Sequence, residues 1–200
     1  REGMGQTLAI KVLNAEFSNE PEVVRRFLRE AKSYGMVQHP NAVNLLDFGQ
    51  LPDTALYIAM EFVAGHDISK TIQKNGRMSL NDAVDILGQC CDVLGYAHEK
   101  GIIHRDLKPE NIMLVKKPRG YHAKVLDFGI ARLVSNEATQ LTVAGTICGT
   151  PRYMSPEQAR GREVDARSDI YSLGRLLSLI DVRTVASFFY YFDVVFCANW

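Results

Sequence analysis

The sequence predicts an α+β fold, in which a small lobe built on an antiparallel sheet comes before a mainly helical lobe. Three extended, apolar patterns lie early in the chain, at residues 7–13, 43–48 and 56–62. The longest helical pattern follows them, at residues 79–100. Strands that come first and helices that come later are typical of the α+β class.

The first elements of the chain are short. Residues 7–13 (TLAIKVL) predict a strand buried on both faces, because its apolar residues are nearly continuous. Residues 21–34 predict a helix with Pro21 in its first turn. The apolar side chains that share one face of this helix are Val23, Phe27, Ala31 and Tyr34. The two strands that follow are joined by a hairpin loop at residues 50–53.

The long helix at residues 79–100 carries clear end signals. Ser79 is a suitable N-cap, Asp82 lies three residues further on, and Gly101 can end the helix. The stripe of residues predicted to share one face consists of Leu80, Ala83, Val84, Leu87, Cys91, Leu94 and His98.

The composition argues against several classes of protein. Of 200 residues, 46% are hydrophobic and 23% are charged, and 23 basic residues balance 23 acidic ones. This balance favours neither nucleic acid nor a membrane surface as a partner. The four cysteines show no metal-ligand spacing. The adjacent Cys90 and Cys91 predict buried thiols rather than a disulfide, and a reducing cytosol is the expected compartment. The four cysteines are Cys90, Cys91, Cys148 and Cys197.

Two charged residues stand where apolar ones are expected. Lys11 alternates with Ala9 and Leu13 in the first strand, and Glu30 lies within the apolar face of the first helix. Because a lone buried charge is costly, each needs a partner, and the other is the simplest choice. The alternative is that both side chains reach solvent at the edges of their elements.

Residues 102–114 (IIHRDLKPENIML) place four charges, an imidazole and an amide between an apolar pair and an apolar triplet. Short apolar runs of this kind usually enter a core, and unpaired charge near a core is costly. The pattern therefore predicts either an ordinary loop close to the surface or a functional site.

Five motifs in order resemble the protein kinase signature set. They are LAIK at residues 8–11, HRDLKPEN at 104–111, DFG at 127–129, GTPRYMSPE at 149–157 and DIYSLG at 169–174. The resemblance covers residues 7–177, and SPEQARG at residues 155–161 is most similar to the bacterial serine/threonine branch. It implies a two-lobed fold and transfer of the γ-phosphoryl group of ATP to protein hydroxyls.

The resemblance assigns chemistry to the loop motifs. Asp106 would orient the substrate hydroxyl and accept its proton, and Lys108 would reach the γ-phosphate. Asn111 and Asp127 would supply oxygen ligands for Mg²⁺. Without the resemblance, Asp106 and Lys108 read as a surface ion pair, and Asp127 reads as a turn residue.

The resemblance also implies a nucleotide site. Lys11 would bind the α and β phosphates and pair with Glu30, whereas the nearby Glu20 and Glu22 read as charges at the helix start. The residues expected around adenine and ribose are Ala9, Met60, Glu61, Val63, Asp67 and Met113. The alternative interpretation of Met60 and Met113 is that they are core residues with no contact to the nucleotide.

The resemblance gives the remaining loop residues structural roles. His104 reads as a core histidine that stacks with Phe128, Tyr34 and Leu45 in an apolar column between the lobes. Asp169 would hold the backbone of the catalytic loop.

Regulation is expected on the loop that follows the DFG motif. Arg105 would meet a phosphorylated threonine there, because guanidinium and phosphate form strong bidentate pairs. Thr146 is the first candidate, and Thr142 and Thr139 are alternatives. Thr150 would instead bond the catalytic aspartate and lysine and so help to position the substrate. Each of these threonines could otherwise be a plain exposed loop residue.

The resemblance divides the chain into a kinase domain at residues 1–180 and an atypical apolar tail at residues 181–200. The parts of the domain are a small lobe at 1–60, a hinge at 61–66 and a large lobe at 67–180. Gly5 is only six residues before Lys11, so no glycine-rich loop is recognised, and the tail matches no later helix of the family. We therefore expect a domain truncated at both ends, with weak or no activity by itself.

The predicted function is an ATP-dependent serine/threonine protein kinase that uses Mg²⁺. The alternative is an inactive or truncated kinase that acts as a nucleotide-binding scaffold. A small-molecule phosphotransferase is disfavoured by residues 155–157, which would build a peptide platform. The expected partners are ATP and proteins with Ser or Thr, not nucleic acid, in the cytoplasm. Membrane anchoring of a full-length parent and a dimer for activation-loop autophosphorylation stay open, as do the peptide substrate and the signal.

Overall fold

The computed structural model describes residues 7–13, 20–52, 54–76, 78–128 and 151–180. The small lobe contains β1 (Leu8–Val12), α1 (Pro21–Gly35), β2 (Leu45–Gln50) and β3 (Leu56–Glu61). The large lobe contains β4 (His66–Asp67), α2 (Ile68–Asn75), α3 (Leu80–Glu99), β5 (Ile112–Lys116), β6 (Tyr121–Val125), α4 (Pro156–Ala159) and α5 (Ala166–Ile180). Short 3₁₀ helices lie at Pro109–Asn111 and Pro151–Tyr153. The predicted α+β arrangement of a sheet lobe before a helical lobe is confirmed.

The sheet of the small lobe is antiparallel, with the strand order β1-β3-β2. The strands β2 and β3 form the predicted hairpin, whose loop is closed by a hydrogen bond from Leu51 N–H to the carbonyl of Ala55 (2.8 Å). The helix α1 begins at the predicted Pro21 and packs against β2. Its buried side chains are Phe27, Ala31 and Tyr34, three of the four predicted for its apolar face.

The prediction that the first strand is buried on both faces is wrong. Leu8, Ile10 and Val12 are 43%, 65% and 56% exposed, respectively. The strand lies at the edge of its sheet with β3 as its neighbour, and α1 packs on β2 instead. No described element therefore covers the face that these three side chains share.

The helix α3 has the predicted ends but a different buried face. Ser79 Oγ accepts a hydrogen bond from Asp82 N–H (3.1 Å), and Gly101 takes a positive φ of 71° beyond the C-terminus. Leu80 and Val84 of the predicted stripe are 38% and 43% exposed. The helix packs against both β6 and α5, so the face it buries is wider and rotated. The buried side chains are Ala83, Ile86, Leu87, Cys90, Val93, Leu94 and Ala97.

The second sheet is antiparallel with the order β4-β5-β6, and it begins directly after the segment that joins the lobes. Gly65 lies against β5 so closely that a Cβ atom there would stand 2.3 Å from the carbonyl oxygen of Leu114. Only glycine fits such an approach. The close contact lets the chain turn from β3 into β4 and places Asp67 opposite Met113.

The two lobes are joined by backbone hydrogen bonds between residues 41–43 and β6. Val43 N–H donates to the carbonyl of Val125 (2.9 Å), and Val125 N–H donates to the carbonyl of Asn41 (2.7 Å). Buried apolar residues of both lobes form a single core cluster. Across the described ranges, no helix is both long and apolar enough to cross a membrane.

Candidate active site

Asp106 lies on the loop that follows α3, in direct contact with two other predicted site residues. Its Oδ2 atom accepts hydrogen bonds from Lys108 Nζ (2.7 Å) and Asn111 Nδ2 (3.2 Å). Asn111 Nδ2 also donates to the backbone carbonyl of Asp106 (2.7 Å). The side chain of Asp106 is 34% exposed. A carboxylate held in this way is fixed in direction and still accessible to a substrate hydroxyl.

Asn111 also joins this loop to the segment that contains Asp127. The carbonyl of Asn111 accepts a hydrogen bond from Leu126 N–H (2.9 Å), and Leu126 directly precedes Asp127. Because Asn111 Nδ2 donates its hydrogen bonds to Asp106, the side-chain oxygen of Asn111 is the atom that remains available to a ligand. The structure therefore brings Asp106, Lys108, Asn111 and the approach to Asp127 together.

Asp127 has one satisfied and one unsatisfied carboxylate oxygen. Oδ2 accepts a hydrogen bond from Lys11 Nζ at 2.6 Å. Oδ1 is buried and has no hydrogen-bond partner among the described residues. The backbone of Asp127 is left-handed, with a φ of 61°. Strain of this kind often accompanies functional sites, and a buried oxygen without a partner is costly unless a ligand satisfies it.

The expected ion pair between Lys11 and Glu30 is not made among the described residues. Lys11 binds Asp127, whereas Glu30 approaches Arg29 Nη2 at 3.5 Å. The carboxylate of Asp127 is 17% exposed and needs a counter-charge. The helix α1 packs on β2, away from the edge strand that carries Lys11. Lys11 therefore bridges the lobes through Asp127.

His104 is fully buried, and its two ring nitrogens have different partners. Nε2 lies 2.7 Å from the carbonyl of Leu126, and Nδ1 lies 3.3 Å from the N–H of Asp106. Since the carbonyl can only accept and the N–H can only donate, Nε2 donates to the carbonyl of Leu126 and Nδ1 accepts from the N–H of Asp106. His104 acts as a core histidine that ties Asp106 to the strand leading to Asp127.

The aromatic part of the expected column is present between the lobes. The ring of Phe128 lies 5.0 Å from His104 and 6.1 Å from Tyr34, measured between ring centroids. The hydroxyl of Tyr34 donates to the carbonyl of Val43 (2.6 Å). Burial, and then the charge of Asp127, raise the pKa of Tyr34 above its usual value. Tyr34 therefore stays neutral and holds Phe128 beside the candidate site.

Asp169 in α5 holds the backbone of the catalytic loop, as expected. Its carboxylate accepts hydrogen bonds from His104 N–H and Arg105 N–H, both at 2.8 Å. A third contact, from His98 Nε2 at 2.7 Å, was missed from sequence because His98 read as part of an apolar stripe. Its position on the final turn of α3, ahead of the loop, was the available signal.

The residues expected around adenine meet in pairs across strands. Ala9 lies opposite Met60 in the small-lobe sheet, and Met113 lies opposite Asp67 in the large lobe. Met60 is only 5% exposed, which fits a core residue as well as a wall of an adenine slot. Val63 lies partly buried against the core.

Glu61 and Asp67 have side-chain partners that the sequence did not indicate. Glu61 Oε1 accepts a hydrogen bond from Asn44 N–H (2.9 Å), and it also forms an ion pair with Lys124 Nζ. Asp67 caps α2, and its two oxygens bind the N–H (2.8 Å) and the ammonium group (2.9 Å) of Lys70. A ribose hydroxyl that bound Asp67 would therefore contact oxygen atoms that already bind Lys70.

A family model for the protein kinase domain matches residues 1–187 of the chain. The chain belongs to the protein kinase family. Curated protein kinases of bacteria resemble it along most of its length. It is 45% identical to serine/threonine-protein kinase Pkn3 of Myxococcus xanthus over 179 residues. This aligned region covers 87% of the chain and 32% of Pkn3. It is 42% identical to PknB of Mycobacterium leprae over 173 residues. This aligned region covers 85% of the chain and 27% of PknB.

Solved protein kinase structures share the fold. The chain superposes on the PknI kinase domain of Mycobacterium tuberculosis with a TM-score of 0.68 and 27% identity, over 90% of the chain and 64% of that domain. The chain spans only part of the length of its curated relatives: the aligned region is 32% of Pkn3 and 27% of PknB.

Protein kinases as a family use ATP and a divalent metal ion. The residues present fit a metal ion, because the buried Oδ1 of Asp127 lacks a partner within the described part of the chain. A divalent cation bound by hard oxygen atoms would satisfy it. The expected regulatory and substrate-positioning threonines, Thr139, Thr142, Thr146 and Thr150, lie outside the described residues.

Proposed function

We propose that the full-length protein transfers the γ-phosphoryl group of ATP to serine or threonine hydroxyls of protein substrates. The observation that carries this proposal is the contact of Asp106 with Lys108 and Asn111, next to Asp127 and its unsatisfied oxygen. The named functions of the bacterial relatives support it.

In this proposal, each charged residue of the site has a separate task. Asp106 orients the substrate hydroxyl and accepts its proton. Lys108 lies 2.7 Å from Asp106, where it can neutralise charge that builds on the transferred group. Asn111 and Asp127 hold Mg²⁺, which supplies charge neutralisation between the phosphates when it is bound.

The nucleotide is proposed to change the partners of Lys11. Its ammonium group, 45% exposed at the side chain, leaves Asp127 for the α and β phosphates, and Glu30 then approaches it. The proposed adenine and ribose residues are Ala9, Met60, Glu61, Val63, Asp67 and Met113. The domain limits of 1–180, with lobes at 1–60 and 67–180 and the tail at 181–200, are retained as part of the proposal.

Regulation and location are also proposals. Arg105 is proposed to bind a phosphorylated Thr146 or Thr142, and Thr150 to position the substrate beside Asp106. A cytoplasmic kinase domain, membrane anchoring of the full-length protein and a dimer that phosphorylates its own activation loop complete this picture.

The test is transfer of labelled phosphate from ATP to a generic basic protein by the full-length protein. The variant D106N keeps the size of the side chain and removes the proton acceptor, so we expect at least a hundredfold lower kcat, on the order of the loss of general-base catalysis. The variant D92N makes the same chemical change at an exposed position of α3 and should retain full activity.

Equal transfer by wild type and D106N would refute the assignment of Asp106. Magnesium-dependent binding of ATP without any transfer by the wild type would favour a nucleotide-binding scaffold instead.

A further inference from the structure

We propose that Gln158 is a positioning residue for phosphoryl transfer, which holds the peptide group directly before Asp106 and couples it to α4. This inference rests on the proposed function, because it assigns Gln158 an effect on the same aspartate. Gln158 follows Ser155 at the three-residue spacing of a capping box.

The peptide group between Arg105 and Asp106 is held at both of its polar atoms. Its carbonyl oxygen, which belongs to Arg105, accepts a hydrogen bond from Gln158 Nε2 at 2.6 Å. Its N–H, which belongs to Asp106, donates to His104 Nδ1 at 3.3 Å. Rotation of this peptide would break both bonds and would remove the contacts that hold the backbone at Arg105 and Asp106.

The backbone at this point adopts a conformation that needs such support. Arg105 has a φ of 68°, in the left-handed region that non-glycine residues rarely occupy. Its N–H donates to Asp169 Oδ1 at 2.8 Å, on the other side of the residue from the bond to Gln158. Strained residues persist where surrounding contacts hold them, and here side chains from α4 and α5 do so.

The orientation of the Gln158 amide is set by its second contact. Its Oε1 accepts from Ser155 N–H at 3.1 Å, and Ser155 Oγ accepts from the Gln158 N–H, which completes a capping box at the start of α4. Since Oε1 faces Ser155, the donor Nε2 faces Arg105. One side chain therefore fixes the start of α4 relative to the catalytic loop.

The segment that carries Gln158 is itself firmly attached to α5. Ser172 Oγ donates to the carbonyl of Tyr153 at 2.8 Å, and Ser168 Oγ donates to the carboxylate of Glu157. Ser155, Ser168 and Ser172 are at most 4% exposed. Gln158 therefore links a buried, hydrogen-bonded segment to the residue before Asp106.

The capping box offers a variant that separates the two contacts. Glutamate is the usual partner of serine in a capping box, so Q158E keeps the acceptor for Ser155 N–H. An ionised carboxylate cannot donate to the carbonyl of Arg105 and places a negative atom against it. The variant Q158M has a similar length and loses both contacts, while Q73E makes the same change as Q158E on the exposed surface of α2.

The experiment measures kcat, the KM for ATP, the thermal midpoint and amide exchange at Asp106 in the full-length protein and the three variants. We expect Q158E to lower kcat about 10- to 100-fold, the range expected when a reacting group is misplaced. Its KM for ATP should stay within about twofold of the wild type, and its midpoint should fall less than that of Q158M, because the cap is retained. Q158M should lose kcat to a similar degree and should also melt earlier, and Q73E should match the wild type.

Wild-type kcat in Q158E, or a loss that follows the fraction of unfolded protein, would overturn the inference. Amide exchange separates this result from a failure of the proposed function. If the wild type transfers no phosphate, the proposed function fails, but the Asp106 N–H should still exchange faster in Q158E than in Q73E. Equal exchange in these two variants would overturn the role of Gln158 independently of activity.

Discussion

The two aspartates of the candidate site differ in how their oxygens are satisfied. Asp106 receives hydrogen bonds from Lys108 and Asn111 and remains partly exposed. Asp127 has Lys11 on one oxygen and no partner within the described residues on the other, which is buried. Two carboxylates in different environments can take different roles, here the proposed proton acceptor and the proposed metal ligand.

Asp67 provides a prediction for the pH dependence of stability. Burial alone would raise the pKa of Asp67, but hydrogen bonds and charge from Lys70 outweigh it and lower this pKa below its usual value. The stabilisation is therefore complete above the unfolded value of about 3.9. It is lost progressively as the pH falls below that value and through the lowered pKa of the folded state. We expect D67A to lower the free energy of unfolding by about 1 kcal/mol at pH 7, the usual cost of removing an N-cap.

The control is D67N, which keeps a capping oxygen and removes the charge. Denaturant unfolding between about pH 7 and pH 3 should show that the difference between wild type and D67N shrinks in the acid range. A difference that stays constant over this range would contradict the charge contribution of Asp67.

Single residues show which contacts the sequence could not reveal. The identities of Lys11, Asp106 and Asp127 follow from motifs, and that of Glu30 follows from its position in the apolar face of α1. The choice of Asp127 as the partner of Lys11 depends instead on where α1 packs. Because side-chain pairing is decided after the elements have docked, residue spacing alone favoured Glu30. The role of Gln158 is similar, since its cap contact is local but its bond to Arg105 spans distant parts of the chain.

At the scale of elements, the start of α5 supports the catalytic loop through one buried carboxylate. Asp169 is 1% exposed and accepts hydrogen bonds from two backbone N–H groups and from His98. We expect D169A to lower the free energy of unfolding by about 3 kcal/mol, because it leaves these buried donors without an acceptor. Denaturant unfolding of the full-length protein measures this loss.

The matched variant D169N keeps the size of the side chain and one acceptor oxygen. Its free energy of unfolding should therefore lie between those of the wild type and D169A. If D169A unfolds at the wild-type denaturant concentration, the loop does not depend on α5 in the way described.

The limits of the helices were predictable, and the exposure of the elements was not. The proline at the first position of α1 and the cap of α3 are local signals, so both helices start where the sequence predicts. The exposure of β1 depends on which strands and helices lie beside it, which no local pattern contains. The buried face of α3 was similarly widened by contacts with β6 and α5.

At the scale of the whole molecule, the lobes are connected behind the candidate site by β6. Its Val125 bonds to Asn41 and Val43, and its Lys124 pairs with Glu61 at the end of β3. The same strand leads directly to Asp127. The position of the candidate metal ligand is therefore tied to both lobes, and the order of the lobes was predictable because it follows the order of the elements in the chain.

The most direct measurement of the central claim is calorimetric titration of ATP into the full-length protein with and without Mg²⁺, comparing wild type, D127N and D106N. If Asp127 holds the metal ion, Mg²⁺ should strengthen ATP binding to the wild type and to D106N at least tenfold more than to D127N, and D106N should still fail to transfer phosphate. If D127N responds to Mg²⁺ as strongly as the wild type does, Asp127 is not the metal ligand and the site described here is not a phosphoryl-transfer site.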